Sequence, residues 1–145
     1  MGENCNICDG VTIKRPENLS LGKRVSIHPY TIINAMGEIS IGDNSGVSTG
    51  CALLGMAGIY RDASVPYKGQ RIIDQPIAIG KDVQIGANVT LLGDAIIGNG
   101  SMICAGSVVS GNIPSYSIVA GNPGRVVLNR KVRFNSEKEK SLKPE

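Results

Sequence analysis

One histidine, His28, is the chain's whole supply of imidazole. Imidazole is the side chain best placed to take up a proton near pH 7. It stands in SIHPYTIIN, directly before Pro29, where a turn residue would stand. Four cysteines add soft ligands and nucleophiles: Cys5, Cys8, Cys51 and Cys104. Cys5 and Cys8 make a CxxC, but structural zinc takes four ligands and no second pair or clustered histidine accompanies it, so no metal site is expected. The remaining polar chemistry crowds into LGMAGIYRDASVPYKGQRIIDQP, residues 54–76, with Tyr60, Arg61, Asp62, Tyr67, Lys68, Arg71 and Asp74. Those charges suit a solvated loop, and equally a loop that lines a binding face.

The elements that must position these residues follow from a repeat. Ile79, Ile85, Leu91, Ile97, Ile103 and Val109 recur every six positions. Neither a helix period of 3.6 nor a strand period of 2 gives six. A fixed short period marks a stacked solenoid. Four residues after each aliphatic comes Val83, Val89, Ala95, Ser101, Ser107 or Ile113, mostly small or β-branched. Each hexapeptide then supplies a short strand with an inward aliphatic, and a corner where Gly or Asn tolerates unusual backbone angles. Three hexapeptides close a triangular coil, and coils stack at roughly 4.8 Å.

The repeat extends upstream with slips. Ile7, Ile13 and Leu19 read as a worn first coil; a shift of two leads to Leu21, Ile27 and Ile33; an interval of eight leads to Ile41, Val47 and Leu53. Stacking then places Ile33, Leu53, Leu91 and Val109 in one inner column. It places His28, Ser48, Gly86 and Cys104 at one corner, and Asn34 beside the root of the 54–76 insertion. Cys51 falls on an inward small-residue slot and Cys104 on a corner. The β-helix is expected over residues 1–127, with 128–145 a polar, basic tail or short capping helix.

Composition narrows the function. One Phe, four Tyr and no Trp suit a core too narrow for rings. A net charge of +3, much of it in the tail, does not describe a nucleic-acid surface. No apolar run reaches membrane length, so no membrane insertion is expected. MGENCNICDG lacks a basic-then-apolar leader, so a cytoplasmic protein is the default.

From Leu19 to Val127 the chain resembles the hexapeptide-repeat acyltransferases, notably the maltose, galactoside and bacterial polysaccharide O-acetyltransferases. The motifs that carry the likeness are IGDNSGVSTGCALLG, IGKDVQIGANVTLLGDAIIGNG and ICAGSVVSGNIPSYSIVAGNPGRVV, together with the insertion. The resemblance implies a left-handed parallel β-helix, although parallel crossovers are ordinarily right-handed. It also implies a homotrimer, acetyl-CoA as co-substrate, and a sugar, sugar nucleotide or polysaccharide precursor as acceptor of the acetyl group, in a groove between subunits.

Carried over residue by residue, the resemblance places the pantetheine arm against Gly86, Ala87, Ala105 and Gly106, the nucleotide phosphates near Arg125, and the acceptor at Asn34. The departures are as informative. The family's catalytic histidine, in a segment like TSNHTW, falls on Gly58, and a second family histidine falls on Thr49. The Lys of the usual TKD becomes Gly111, the Trp of VWIG becomes Gln84, and the Pro-Gly of the LPGV turn becomes Gly93-Asp94. Three readings follow. Asp62, Tyr60, Asp74 or His28 replaces the base; or the reaction proceeds by positioning, or on an amine already unprotonated; or the chain is a non-catalytic relative that binds a ligand or scaffolds a subunit. One histidine is too few for a β-helix carbonic anhydrase.

Overall fold

The computed structural model describes residues 1–131. The chain winds as a parallel β-helix of triangular section, five full coils and the start of a sixth. The first face stacks Asn6–Ile7, Ser26–Ile27, Gly46–Val47, Gln84–Ile85, Met102–Ile103 and Ser117–Ala120. The second stacks Thr12–Lys14, Ile32–Asn34, Ala52–Leu54, Thr90–Leu91 and Val108–Val109. The third stacks Leu19–Leu21, Ile39–Ile41, Ile77–Ile79, Ile96–Ile97 and Asn112–Ile113.

The inner columns are aliphatic from coil to coil. Ile33 pairs with Leu53, Leu53 with Leu91 and Leu91 with Val109. Ile27, Val47, Ile85, Ile103 and Val119 form the first column, and Leu21, Ile41, Ile79, Ile97 and Ile113 the third. Nearly all are fully buried. Each coil thus removes three large side chains from water, about 1.5–3 kcal/mol apiece. Ile113, expected in a small-residue slot, sits instead above Ile97. The reason is a short corner: Ile113 comes only four positions after Val109. In the first coil Leu21, rather than Leu19, takes the third-face column, and Leu19 lies under Ile39.

The small inward slots carry a second device. Buried hydroxyls and thiols reach up to a corner carbonyl of the next coil: Thr31 Oγ1 to Ser48 O at 2.9 Å, Ser45 Oγ to Gly80 O at 2.8 Å, Ser101 Oγ to Pro114 O at 3.0 Å. Cys5 Sγ lies 3.0 Å from Gly22 O and Cys51 Sγ 3.1 Å from Gly86 O. Ser45 and Ser101 also accept the backbone N–H of Val83 and Ser117. One hydroxyl therefore satisfies a donor and an acceptor that stacking would otherwise bury. Burial pushes the Cys51 thiol pKa up.

The glycines after the inner aliphatics serve closeness, not unusual angles. A Cβ on Gly42 would lie 2.6 Å from Gly80 C, and one on Gly86 2.7 Å from Ala105 N. The left-handed positions come two residues later, at Asn44 and Asn88 for example.

The 54–76 insertion is not an irregular loop. It is an antiparallel arm, Met56–Gly58 against Ile72–Asp74, with a 3-10 turn at Tyr67–Gly69. The chain past the Gly/Pro turn also differs from expectation. Arg125–Asn129 forms a strand that returns antiparallel along Ser117–Ala120 and closes the upper edge of the first face. The expected boundary at 127/128 falls inside this strand. The polar tail or short capping helix expected over 128–145 lies, from residue 132 onward, outside the described residues.

Ser45→Ala leaves Gly80 C=O and Val83 N–H without their shared partner. It is expected to lower stability by about 1–3 kcal/mol, measured by urea denaturation, whereas Ser40→Ala on the exposed outer surface changes it by less than about 0.5 kcal/mol.

Candidate functional site

Two corners hold the sequence-predicted site residues. At the corner between the first and second faces, Gly86 N bonds to Ile103 O and Gly106 N to Ala87 O at 2.9 Å, which stacks Gly86–Ala87 under Cys104–Ala105, with Gly106 next in the upper turn. Gly106 has φ +74, and a Cβ there would meet nothing within 4 Å, so this turn faces open space. One coil further up, Cys104 N bonds to Val119 O, and Ala120 pairs with Arg125. Arg125 is exposed, its Nη1 donating to Gly124 O at 3.0 Å. Gly86, Ala87, Ala105, Gly106 and Arg125 therefore share one corner: small backbone-lined turns below, a guanidinium above. A thioester donor with a phosphate-bearing end fits this layout. The amide groups of the turns suit a pantetheine chain, and a cation suits phosphate.

His28 stands at the same corner, two coils below Gly86. It is exposed and its side chain makes no hydrogen bond among the described residues.

Asn34 lies at the opposite edge of the second face, where the arm leaves. It pairs with Lys14 below and Leu54 above. Its Nδ2 donates to Met56 Sδ at 3.1 Å, a weak acceptor. Its Oδ1 is buried with no partner. A buried polar atom left unsatisfied costs about 1–3 kcal/mol, and such exceptions call for a reason. A ligand's O–H or N–H would supply one.

The other proton-transfer candidates separate on the arm. Asp74 pairs with Met56, the residue that holds the Asn34 amide, and with Arg15, Asn18 and Met36 it lines a cavity of about 130 Å³. Asp62 sits far along the arm, its carboxylate accepting Ser64 Oγ at 2.5 Å and Ser64 N at 3.0 Å. Those bonds hold its pKa below the usual carboxylate range, which makes it a weaker base. Tyr60 is exposed at the arm and makes no side-chain hydrogen bond among the described residues. Gly58, where the family base aligns, lines a cavity of about 470 Å³ with Met56, Ile59, Tyr67, Lys68, Gln70, Arg71 and Ile72. A Cβ on Gly58 would have only Tyr67 Oη as a neighbour, at 4.0 Å. Neither the Asn34 orphan oxygen nor this cavity is legible in the residue pattern, because both depend on the arm's pairing.

Among the described residues no group of three or more His, Cys, Asp or Glu is arranged to hold a metal, and no helix is long and apolar enough to cross a membrane.

Stacked coils of six-residue repeats, with a side arm and open corner turns, define a hexapeptide-repeat β-helix. Comparison agrees. Residues 76–111 match the bacterial transferase hexapeptide family (six repeats). A probable acetyltransferase of Mycobacterium tuberculosis is 34% identical over 137 residues, covering 94% of this chain but 46% of its own length. The chain thus spans less than half of that curated relative. A galactoside acetyltransferase in complex with coenzyme A is 27% identical and superposes with a TM-score of 0.82 over 95% of this chain and 66% of that one. A hexapeptide-repeat acetyltransferase from Vibrio cholerae, complexed with acetyl coenzyme A, shares the fold at TM-score 0.85 and 24% identity, over 90% and 70% of the two chains. The chain has the left-handed parallel β-helix fold of the acetyltransferases it resembles, with the hexapeptide match over residues 76–111.

The open surroundings of Gly58 predict that Gly58→His is accommodated. Its stability by urea denaturation should stay within about 0.5 kcal/mol of the parent.

Proposed function

We propose that this chain is an acyltransferase that moves an acetyl group from acetyl-CoA to a hydroxyl or amine of a sugar, sugar nucleotide or polysaccharide precursor. The observation that carries the reading is the gathering of Gly86, Ala87, Ala105, Gly106 and Arg125 on one open corner, in a chain similar to a coenzyme-A-bound galactoside acetyltransferase. The thioester would lie along that corner, with Arg125 at its phosphates. The acceptor would lie at Asn34, whose unpartnered Oδ1 suits a donated O–H or N–H. The acceptor oxygen or nitrogen bonds to the acetyl carbon, the C–S bond breaks, and the acceptor's proton ends on the coenzyme A thiol.

The two corners stand at opposite edges of the second face, so one chain presents each half of the site to a different neighbour. A homotrimer joins the donor corner of one copy to the arm of the next. The exposed Ile32 and Leu92 beside the arm, and Ile96 on the third face, suit such contacts. The four unpaired cysteines suit a reducing, cytoplasmic setting.

Of the candidate bases, Asp74 is the one the arm's pairing brings to the Met56 that holds Asn34. Calorimetry with acetyl-CoA should show micromolar affinity, lowered about tenfold in Arg125→Ala through loss of one charge-assisted contact. No binding in the parent chain would overturn the reading in favour of a non-catalytic scaffold. With an acceptor found by thiol release across a sugar panel, Asp74→Asn is expected to cut the rate by about 10²–10⁴ without changing acetyl-CoA affinity. A rate left intact would remove Asp74 as base.

A further inference from the structure

We infer that the arm cavity is an anion subsite, in which Lys68 and Arg71 hold a phosphate or carboxylate carried by the acceptor. The cavity has an apolar floor of Met56, Ile59 and Ile72, the phenol of Tyr67 across from Gly58, and two cations in its lining. Its volume of about 470 Å³ falls within the range of small-molecule sites.

The positive charge there is not spent on the protein itself. Neither Lys68 nor Arg71 makes an ion pair or a side-chain hydrogen bond among the described residues. The arm tip does contain a carboxylate that could neutralise them. That carboxylate, Asp62, is turned onto the hydroxyl and backbone of Ser64. Asp74 faces a different cavity, with Arg15. Between residues 59 and 73 the sequence places Arg61, Lys68 and Arg71 against Asp62 alone.

The tip is also braced into shape. Gln70 Nε2 donates to Asp62 O at 3.0 Å and Val65 O at 3.1 Å, and the 3-10 turn Tyr67–Gly69 fixes the approach of Lys68. The two cations are therefore carried on a formed loop next to an exposed ring and exposed aliphatics. An oxyanion attached to a ring with an apolar face matches this set: the planar guanidinium of Arg71 takes two oxygens at once, and the ammonium of Lys68 takes a phosphate's third oxygen or shares one of a carboxylate's two.

The inference rests on the acyltransferase reading only for what happens to the ligand afterwards; binding is tested by itself. Calorimetry on the full chain with glucose 1-phosphate, glucuronate and glucose, at low and high salt, reads the preference. At least one of the two anionic sugars should bind about tenfold more tightly than glucose, the equivalent of one charge-assisted contact, and the gap should shrink with salt. Which of the two gains identifies the oxyanion. The double variant Lys68→Gln, Arg71→Gln should bind all three alike, and Lys68→Arg, Arg71→Lys should keep the preference. Equal binding of all three by the parent chain would overturn the inference, as would a preference that survives the Gln pair. Acetyl-CoA affinity measured on the same samples separates the two readings: its absence beside an intact anion preference removes the acyltransferase and leaves the subsite.

Discussion

The structure depends on how closely one coil lies on the next. At the glycines that follow the inner aliphatics, backbone meets backbone with no space for a Cβ: Gly42 against Gly80, Gly80 against Asn99, Gly98 against Ser115. Such contact would bury corner amides and carbonyls that a turn leaves unpaired. The inward hydroxyls of Thr31, Ser45 and Ser101 answer that cost from the coil below. Core, corner and ladder are therefore one arrangement. The aliphatic columns supply the driving force, the glycines permit the approach, and the hydroxyls keep the approach from stranding polar groups.

Tight stacking also decides where the chain can vary. From the first face to the second, the inner aliphatics are always six apart, as in Ile27 to Ile33 and Ile85 to Leu91. From the third face to the first they are again six apart, as in Ile41 to Val47 and Ile97 to Ile103. Only the corner from the second face to the third changes. Ile13 to Leu21 and Ile33 to Ile41 span eight, Leu53 to Ile79 twenty-six, Leu91 to Ile97 six, and Val109 to Ile113 four. Two edges of the prism are held rigid, and the third is free to carry the arm. The donor candidates lie on a constant edge, where position repeats from coil to coil. Asn34, Asp74 and the cationic cavity lie on the variable edge, where new shapes can be added without moving the stack.

This division explains what the sequence made legible. Residues 79–109 repeat without a slip, so the columns, the Asn34 position and the shared corner of His28, Ser48, Gly86 and Cys104 all follow from counting. Counting fails where the variable corner changes length, which is how Ile113 came to be assigned to a small-residue slot. It is also blind to partners far along the chain. Met56–Gly58 shows no alternation of its own and becomes a strand only against Ile72–Asp74. Arg125–Asn129 looks like the exit from a Pro turn and becomes a strand only against Ser117–Ala120. The inward serines are visible as small residues, but their bonds to the coil above are not, because the same slots hold valine at Val25 and Val83.

The missing imidazole and the cationic arm bear on one another. The resemblance puts the family base at Gly58, and Gly58 lines the cavity that holds Lys68 and Arg71. Neighbouring cations disfavour any further positive charge. An imidazole placed there would be harder to protonate, so its part as a proton acceptor would be weakened at the step that needs it. That leaves the proton to a carboxylate outside the cationic cavity, the part proposed for Asp74. In the proposed reaction, Asn34 would fix the direction of attack with its buried oxygen, the constant edge would hold the thioester still, and the variable edge would bring the acceptor to it.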